Sequence, residues 1–274
     1  MTITGINGKT KLNNGVEMPY FGLGTWQLTG DEASKAVCSA IDYGYRLIDT
    51  AAFYNNEEAI GRAIKEFNVT RNEIFITTKV WNTDQGYDQT LRAYDKSCHL
   101  LGVDYADLYL VHWPVTGKFT DTWKALEKIY KEGRVRAIGI SNFLQVHLDK
   151  LLDKAEIIPA INQIEFHPHL IQSELLKTCK HLGIKVQAWS PIMQGRVFDI
   201  PLLKEVGKKY DKNAAQVVLR WDLQRGVLTI PKSASRAHIK TNAEIFDFQL
   251  TEEEMSQINS LDCNLRYGYD PMLV

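Results

Sequence analysis

Cysteine is scarce in this sequence, and long apolar runs are missing. The 274 residues include four cysteines, without a C-x-x-C pair or a Cys/His cluster at zinc spacing: Cys38, Cys98, Cys179 and Cys263. This pattern excludes a disulfide framework and a zinc site, and it predicts reduced, mostly buried thiols in a cytoplasmic protein. No stretch approaches the roughly 20 apolar residues of a membrane helix, and the first residues lack the apolar core of a secretory signal. We therefore expect neither export nor membrane insertion.

An excess of charge of one sign is lacking as well. Lys and Arg number 32 against 33 Asp and Glu, which gives a formal net charge of -1. A balanced charge provides no bulk attraction for polyphosphate or anionic lipid, so we expect no nucleic-acid partner. The content of 45% apolar and 24% charged residues is typical of a globular protein. No Pro/Gly/Ser-rich linker divides the chain, which predicts one domain over residues 1–274.

Short apolar runs alternate with amphipathic segments along the chain, as in repeated β-α units. Eight runs are predicted strands: Phe21 to Thr25, Tyr45 to Asp49, Ile74 to Val80, Ala106 to His112, Val135 to Ile140, Ala160 to Ile164, Lys185 to Trp189 and Val227 to Ile230. Eight segments are predicted barrel helices: Asp31 to Tyr43, Glu57 to Phe67, Asp88 to Leu101, Thr120 to Glu132, Gln145 to Ala155, Ser173 to Leu182, Ala214 to Gln224 and Ala237 to Ile245. The pattern predicts an α/β fold, a (β/α)8 TIM barrel.

Three further elements are predicted outside the eight repeats. Leu202 to Tyr210 and Glu252 to Leu261 have the periodicity of extra helices. The segment from Thr10 to Met18 is predicted to be a β-hairpin with Asn14-Gly15 at its turn, and we expect it to cover the bottom of the barrel.

A doubly wound sheet is the alternative architecture, because it also alternates strands and helices. Its dinucleotide motif, G-x-G-x-x-G between the first strand and the first helix, is absent. Gly22-x-Gly24 is followed by Thr25 and Trp26, not by a glycine that opens a helix. The barrel is therefore favoured.

Four polar side chains follow or end successive predicted strands, where the active sites of such barrels lie. They are Asp49, Tyr54, Lys79 and His112. Each alone has an ordinary structural explanation, such as a strand or helix cap for Lys79 or Asp49, a core histidine for His112, and packing for Tyr54. Four different titratable or hydrogen-bonding types at three successive strand ends are harder to explain by packing.

These residue types suit proton transfer to a carbonyl oxygen. A tyrosine has an ordinary pKa near 10, and a nearby lysine ammonium is expected to lower it towards useful acid-base chemistry. Asp49 would keep Lys79 charged, and His112 would position a substrate oxygen beside Tyr54. No Cys or Ser lies in a recognisable nucleophile-base arrangement, so the attacking species is expected to be a hydride from a bound nicotinamide cofactor.

The chain resembles the aldo-keto reductases over essentially its whole length. The resemblance lies in these segments: Gly44-Tyr-Arg-Leu-Ile-Asp-Thr-Ala, Asn56-Glu-Glu, Ile76-Thr-Thr-Lys79-Val-Trp, Asp107-Leu-Tyr-Leu-Val-His112-Trp-Pro, Gly133-x-Val-Arg-Ala-Ile-Gly-Ile-Ser141-Asn142-Phe, Asn162-Gln163-Ile-Glu-Phe-His-Pro, Ala188-Trp-Ser-Pro and Ile230-Pro-Lys232-Ser233. The branch it is most similar to contains enzymes named diketogluconate reductase, prostaglandin F synthase or methylglyoxal reductase. The resemblance implies NADPH-dependent reduction of aldehydes and ketones on a TIM barrel, with Asp49, Tyr54, Lys79 and His112 as the catalytic tetrad and Tyr54 as the proton donor.

The resemblance also implies a set of residues that bind the cofactor. Ser141, Asn142 and Gln163 match positions that hold the nicotinamide carboxamide, and Trp189 stands where relatives stack a tyrosine on the ring. Ser190 and Arg196 match the pyrophosphate loop, although an ordinary strand-to-helix connection is the other explanation for that loop. The adenosine 2′-phosphate and adenine end matches these residues: Lys232, Ser233, Arg236, His238 and Asn242.

His238 departs from the family pattern, because many relatives have an arginine there. Histidine is largely neutral at pH 7 and cannot form the two-pronged contact of a guanidinium. Arg236 lies near the start of the same predicted helix and is expected to compensate. We expect NADPH to remain preferred, with weakened discrimination against NADH.

Four aromatic residues near strand ends predict the wall of a substrate pocket: Trp26, Phe53, Trp81 and Trp113. Packing under loops is the alternative for each. Such a wall favours small dicarbonyls such as methylglyoxal and aromatic aldehydes, and the branch adds keto sugars and prostaglandins as further classes. The tail from Asn264 to Pro271 is expected to close over the pocket, where Arg266 either attracts an acidic substrate or is solvated. We expect a monomer.

The same residues allow two alternatives to a reductase and one metal hypothesis. Lys79 could act in a Schiff-base lyase, but a paired Asp49 argues against the uncharged amine that this needs. The barrel could instead be a regulatory or structural subunit that binds cofactor without turnover. His167-Pro-His169 has no third ligand at a helpful spacing, so no metal is expected.

Overall fold

A short antiparallel hairpin opens the chain in this computed structural model, which describes residues 3–67 and 69–274. Its strands are β1 (Lys9–Lys11) and β2 (Glu17–Pro19). Gly15 in the turn has a φ of 89°, a value that favours glycine. The Asn13 side chain donates to the carbonyl of Pro159, and the Asn14 side chain donates to that of Arg136. Both acceptors lie near the starts of barrel strands, so the hairpin covers the bottom of the barrel, as predicted.

Eight parallel strands follow, each paired with the next along the chain: β3 (Leu23–Gly24), β4 (Leu47–Asp49), β5 (Phe75–Val80), β6 (Ala106–Val111), β7 (Val135–Ser141), β8 (Ile161–Glu165), β9 (Lys185–Trp189) and β10 (Leu228–Thr229). Parallel bridges from Phe21 to Thr229 and from Gly24 to Lys232 join the first of these strands to the last. The eight-stranded barrel is therefore confirmed. The two strands at this junction are shorter than predicted, because only their central residues form a continuous ladder.

Ten helices surround the strands in the described part of the chain. The barrel helices are α1 (Gly30–Asp42), α2 (Glu57–Glu66), α3 (Tyr87–Leu101), α4 (Phe119–Lys131), α5 (Gln145–Leu152), α6 (Ser173–His181), α8 (Ala214–Gln224) and α9 (Arg236–Ala243). The two extra helices are α7 (Pro201–Lys209) and α10 (Glu252–Asn259), as predicted. No helix among the residues described is long and apolar enough to cross a membrane.

The strands are buried on both faces, so they read as nearly continuous apolar runs. Every residue of β5 and β6 is buried, with side chains pointing alternately into the barrel and towards the helices. The polar exceptions inside are therefore informative. Lys79 near the end of β5 has no exposed surface, and Asp49 at the end of β4 is 2% exposed. Charged groups at this depth need partners.

Candidate active site

The ends of three adjacent strands bring the four predicted residues together. Asp49 ends β4, and the 3-10 turn Ala52–Tyr54 directly after it carries Tyr54. Lys79 is the next-to-last residue of β5, and His112 follows β6. Because β4, β5 and β6 are neighbours in the barrel, their carboxyl ends form one mouth.

The Lys79 ammonium is the centre of this group. Its Nζ donates to Asp49 Oδ1 at 2.6 Å, to the Thr50 carbonyl at 2.8 Å and to Tyr54 Oη at 3.4 Å. The other Asp49 oxygen, Oδ2, accepts from Gln163 Nε2 at 2.6 Å. All donors of the ammonium and both carboxylate oxygens therefore have partners, as a buried ion pair requires.

The surroundings keep Lys79 charged. Burial acts to lower its pKa, but the Asp49 carboxylate and the Tyr54 hydroxyl outweigh burial, so the pKa of Lys79 lies above its ordinary value. An ammonium has no lone pair with which to attack a carbonyl. The geometry thus gives no support to the Schiff-base alternative.

The pKa of Tyr54 departs from the sequence-based expectation. Burial raises this pKa above its ordinary value of 10.0, Lys79 opposes the rise, and the Asp49 carboxylate adds to it. Lys79 acts in the predicted direction, yet desolvation outweighs it, so the expectation of a lowered pKa is wrong. With its pKa raised, the Tyr54 phenol is protonated at neutral pH.

His112 is an uncharged ring beside this phenol. Burial, aided by the Lys79 charge, holds the pKa of His112 well below its ordinary value. Its ring lies 5.7 Å from the Tyr54 ring and 5.1 Å from that of Trp81, measured between centroids. Its Nδ1 is buried without a hydrogen-bond partner in the described chain. A neutral imidazole still has one N–H to donate to an oxygen.

Asn56 supports the site and was given no role from the sequence. It is 1% exposed, its Nδ2 donates to the carbonyls of Thr25 and Leu28, and its Oδ1 accepts from the Thr50 hydroxyl. These bonds tie the loop that carries Trp26 to the end of β4. The signals available were the segment Asn56-Glu-Glu in the family resemblance and the position of this Asn directly before a helix, which is also typical of a simple N-cap.

The predicted carboxamide-binding residues form a connected amide cluster beside His112. The Asn142 amide donates to the His112 carbonyl at 3.0 Å, and the Ser141 hydroxyl donates to the Gln163 carbonyl at 2.9 Å. The Trp189 indole donates to Asn142 Oδ1 at 2.8 Å. Asn142 has a φ of 66°, a strained value of the kind that clusters at functional sites.

One buried donor in this cluster lacks a partner. Gln187 Oε1 accepts from Gln163 Nε2 at 2.8 Å, but Gln187 Nε2 bonds to no atom in the part of the chain that the structure describes. An unmet amide donor next to Gln163 fits a ligand that brings a polar group of its own, such as a carboxamide.

The loop after β9 has an irregular backbone. Ser190, Met193 and Gln194 all have a positive φ, and Gly195 has a φ of 93°. Arg196 is exposed, its Nη1 donates to the Met193 carbonyl, and its guanidinium lies 4.6 Å from the centre of the Tyr267 ring. The loop therefore turns tightly and carries an accessible cation.

The start of α9 carries the residues predicted for the adenosine phosphate. The Ser235 hydroxyl accepts from the His238 N–H, which caps the helix, and Ser233 is buried just before it. Lys232 and His238 are exposed, and Asn242 is buried. The N-terminus of this eight-residue helix and the Lys232 ammonium are compatible with a phosphate.

Arg236 is held by the chain itself. Its Nη2 lies 2.5 Å from Asp42 Oδ2, and its guanidinium lies 4.9 Å from the centre of the Tyr43 ring. The predicted compensation for His238 therefore requires Arg236 to leave Asp42 or to be shared with it. Both side chains are exposed, so this pair is weak.

Three of the four predicted wall residues form one stack. The Phe53 ring lies 5.5 Å from Trp26 on one side and 3.7 Å from Trp81 on the other, with nearly parallel planes. Trp26 also lies 4.9 Å from the Tyr54 ring. Trp113 is buried, 9% exposed, directly after His112. The stack is the exposed apolar surface next to the phenol.

The C-terminal tail is attached to a buried carboxylate. Glu165 ends β8 and accepts from the backbone N–H of Tyr267 at 2.6 Å and of Gly268 at 3.1 Å. Arg266 lies 3.4 Å from the same carboxylate and is 19% exposed, so its guanidinium has an ion-pair partner within the chain. The role of Glu165 was missed, because a strand-end glutamate gives no sign of a partner about 100 residues away.

His167 and His169 have separate partners. His167 Nε2 lies 3.1 Å from Glu165 Oε1, and His169 Nδ1 lies 2.9 Å from the Tyr267 hydroxyl. No group of three His, Cys, Asp or Glu side chains in the described residues is arranged to hold a metal ion.

The chain is similar to known proteins over most of its length. A family model described as "Aldo/keto reductase family" matches residues 21–262. Glyoxal reductase of Bacillus subtilis (strain 168) is 54% identical, over 98% of this chain and 98% of that protein. A 9,11-endoperoxide prostaglandin H2 reductase of Trypanosoma cruzi (strain CL Brener) is 50% identical, over 95% of this chain and 93% of that protein. A solved mutant of Gox0644 in complex with NADPH is 39% identical, with a TM-score of 0.93 over 97% of this chain and 98% of that one.

Proposed function

The chain belongs to the aldo/keto reductase family, and from this premise we propose that it reduces aldehydes and ketones to alcohols with NADPH. The observation that carries the proposal is the buried Lys79 ammonium, which lies 2.6 Å from Asp49 and 3.4 Å from the Tyr54 hydroxyl at the mouth of the barrel. The NADPH complex of a relative supports the choice of cofactor.

Tyr54 is the proton donor in this proposal. Lys79 donates its hydrogen bond to the phenolic oxygen, which leaves the phenolic hydrogen free to point towards a substrate. When that proton leaves, the adjacent ammonium stabilises the phenolate that remains. Asp49 keeps the ammonium charged and directed at Tyr54.

His112 orients the carbonyl. As a neutral imidazole it donates one N–H to the carbonyl oxygen without adding a second positive charge beside Lys79. Its ring is fixed between those of Tyr54 and Trp81. The oxygen of a substrate held there lies within reach of the phenolic proton.

The amide cluster would hold the nicotinamide. Ser141, Asn142 and Gln163 offer donors and acceptors for a carboxamide, and the half-buried Trp189 offers a ring face for stacking. When bound, NADPH supplies a hydride to the carbonyl carbon while the protein supplies the proton. The unmet Gln187 donor supports a polar ligand at this place.

The remaining predicted residues would hold the phosphates. Ser190 and Arg196 are proposed for the pyrophosphate, and the exposed Arg196 guanidinium supports this. The 2′-phosphate and adenine residues are proposed as a set: Lys232, Ser233, Arg236, His238 and Asn242. We expect kcat/KM to be higher with NADPH than with NADH, because Lys232 and Arg236 recognise a charge that NADH lacks. Equal or better use of NADH would contradict the preference.

The substrate class follows from the aromatic stack and the relatives. Trp26, Phe53 and Trp81 form an apolar stack next to Tyr54, which suits small or aromatic carbonyl compounds. We propose small dicarbonyls such as glyoxal and methylglyoxal, together with aromatic aldehydes. Keto sugars and prostaglandin-type endoperoxides are further candidates, the latter from a relative's name.

Tyr54→Phe tests the mechanism. The substitution removes only the hydroxyl, so the variant is expected to bind NADPH almost normally and to reduce methylglyoxal and nitrobenzaldehyde at least about 100-fold more slowly, the usual worth of general acid catalysis. Loss of NADPH absorbance gives the rate, and quenching of tryptophan fluorescence gives binding. Tyr269→Phe, at a tyrosine that is 83% exposed, is the matched control. Unchanged turnover of Tyr54→Phe would remove Tyr54 from the mechanism, and NADPH binding without turnover of any carbonyl would favour a regulatory barrel.

A further inference from the structure

A buried carboxylate fixes the C-terminal tail. Glu165 has no exposed surface, and its side chain accepts five hydrogen bonds from four groups: the backbone N–H of Tyr267, the backbone N–H of Gly268 to both oxygens, His167 Nε2 and Arg266 Nη1. Two successive backbone N–H groups that converge on one anion form a fixed cradle. These bonds hold Tyr267 and Gly268 of the tail in a fixed position next to the end of β8.

The number of donors decides the charge state of this anchor. Burial acts to raise the pKa of Glu165, but hydrogen bonds from His167 and from the tail backbone outweigh it, so the pKa lies below its ordinary value. The carboxylate is therefore ionised at neutral pH and binds the tail through charge-assisted hydrogen bonds, which are stronger than neutral ones.

The anchored tail packs directly on Trp189. Gly268 lies so close to the indole that a Cβ on it would be 2.3 Å from Trp189 Cη2 and 3.2 Å from Glu165 Oε2. No side chain fits between the ring and the carboxylate. Glu165 and Trp189 also pair across β8 and β9, so the anchor and the ring are neighbours in the barrel.

The tail also contacts the loop after β9. The Tyr267 ring lies 4.6 Å from the Arg196 guanidinium, and the Tyr267 hydroxyl is bonded to His169. One short segment of the tail, residues 266–268, therefore touches both Trp189 and Arg196. Trp189 is in turn bonded to Asn142, whose amide donates to the His112 carbonyl. A continuous chain of contacts runs from Glu165 to the proposed nicotinamide site.

We propose that Glu165 is a positioning residue for the cofactor: by anchoring residues 266–268 it holds the Trp189 indole and the Arg196 guanidinium where NADPH binds. This inference rests on the proposed function of Trp189 and Arg196. It assigns the tail to the cofactor side of the mouth, in addition to any role above the substrate.

Glu165→Gln is the first test. The Gln side chain has only one acceptor oxygen, so it cannot accept from the tail N–H groups at both positions that the carboxylate oxygens occupy. Because the tail is then held less firmly, we expect the Kd and the KM for NADPH to rise about tenfold, a change of about 1.4 kcal/mol. The kcat at saturating NADPH and the KM for nitrobenzaldehyde are expected to stay within about twofold, because the interactions of Tyr54 and His112 are unchanged. Glu174→Gln, at an exposed glutamate on α6, is the matched control.

Gly268→Ala tests the same contact without altering a buried charge. The added methyl group displaces the indole, so we expect a similar loss of NADPH affinity. In a Trp189→Phe background the smaller ring leaves room for the methyl group. Gly268→Ala is therefore expected to reduce NADPH affinity less in this background than in the wild type, and a double-mutant cycle measures the difference.

The outcomes separate this inference from the proposed function. NADPH binding is measured by fluorescence quenching, which needs no turnover. A wild type that binds NADPH but reduces no carbonyl would refute the proposed function and leave this test valid. A wild-type protein that does not bind NADPH would refute both the proposed function and the positioning role. Unchanged NADPH affinity in both Glu165→Gln and Gly268→Ala, or equal costs of Gly268→Ala in the two backgrounds, would overturn the positioning role.

Discussion

Tyr54 and His112, whose rings lie 5.7 Å apart, have pKa values shifted in opposite directions by burial, and both shifts favour the uncharged form. The phenol keeps its proton because burial disfavours the phenolate, and the imidazole stays neutral because burial and Lys79 disfavour a second cation. In the proposed reduction the phenol must be protonated and the imidazole uncharged. Both conditions hold over the same wide pH range.

The pH profile of reduction is predicted from these shifts. The pKa of His112 lies below 6.5 and that of Tyr54 above 10.0, so kcat/KM for nitrobenzaldehyde is expected to be flat around neutrality. Activity should fall only in acid well below pH 6.5, where His112 becomes protonated, and at alkaline pH, where the phenolic proton is lost. Initial rates across the pH range, at saturating NADPH, provide the measurement. A loss of activity centred near pH 6.5 that disappears in His112→Asn would contradict the prediction.

Asp42 is expected to limit recognition of the 2′-phosphate. It holds the Arg236 guanidinium at 2.5 Å. Asp42→Asn frees this cation, and because an exposed ion pair is weak, the KM for NADPH should fall by no more than about fivefold. The KM for NADH should change little, since NADH lacks the phosphate. Asp88→Asn on α3 serves as the control, and an equal fall for both cofactors would refute a specific role of Arg236.

At the scale of elements, the contact between α2 and α3 depends on one glycine. A Cβ on Gly61 would lie 2.2 Å from the Leu101 carbonyl oxygen, which belongs to the backbone of α3 and cannot rotate away. The two helices therefore approach more closely than side chains allow. This is a packing requirement and not a conformational one, because Gly61 lies within a regular helix.

Gly61→Ala is expected to destabilise the protein although alanine is the better helix former. The overlap forces α3 to shift, at a cost of about 1–3 kcal/mol, which exceeds the gain in helix propensity of about 1 kcal/mol. Urea unfolding of the two proteins gives the difference. Lys65→Ala on the exposed face of α2 should stay within about 0.5 kcal/mol of the wild type. An unchanged or higher stability of Gly61→Ala would show that α3 is free to move.

The elements differ in how well the sequence predicts them. The strand β9 has the predicted bounds, and β5 and β6 differ from their predicted bounds by one residue each. The strands β3 and β10 have two residues each, and their bounds depend on how the barrel closes, which no local pattern encodes. The helix α5 ends at Leu152, before the predicted Ala155.

For the whole molecule, cofactor binding is expected to raise the unfolding temperature. A ligand present at 100 times its Kd stabilises the folded state by about 2.7 kcal/mol. For a chain of this size that corresponds to roughly 5 °C. Thermal unfolding with NADPH, with NADH at the same concentration and without cofactor provides the test. A smaller shift with NADH is expected, and equal shifts would contradict the preference for NADPH.

The site was predictable where it follows from topology and unpredictable where it follows from distant contacts. Asp49, Lys79 and His112 were found because strand ends in a barrel share one mouth. The bond between Glu165 and the tail joins residues 102 and 103 positions apart, and the net pKa of Tyr54 depends on its depth in the fold. Neither leaves a local pattern in the sequence.

Differences in exposure among the four cysteines allow selective labelling of one of them. Cys98 and Cys179 are buried, Cys38 is half-buried with a pKa raised mainly by burial, and Cys263 is exposed. A maleimide dye should therefore attach first at Cys263, whose backbone N–H is bonded to the His169 carbonyl at the root of the tail. Its emission would report in real time whether the end of the chain rearranges when a nucleotide enters.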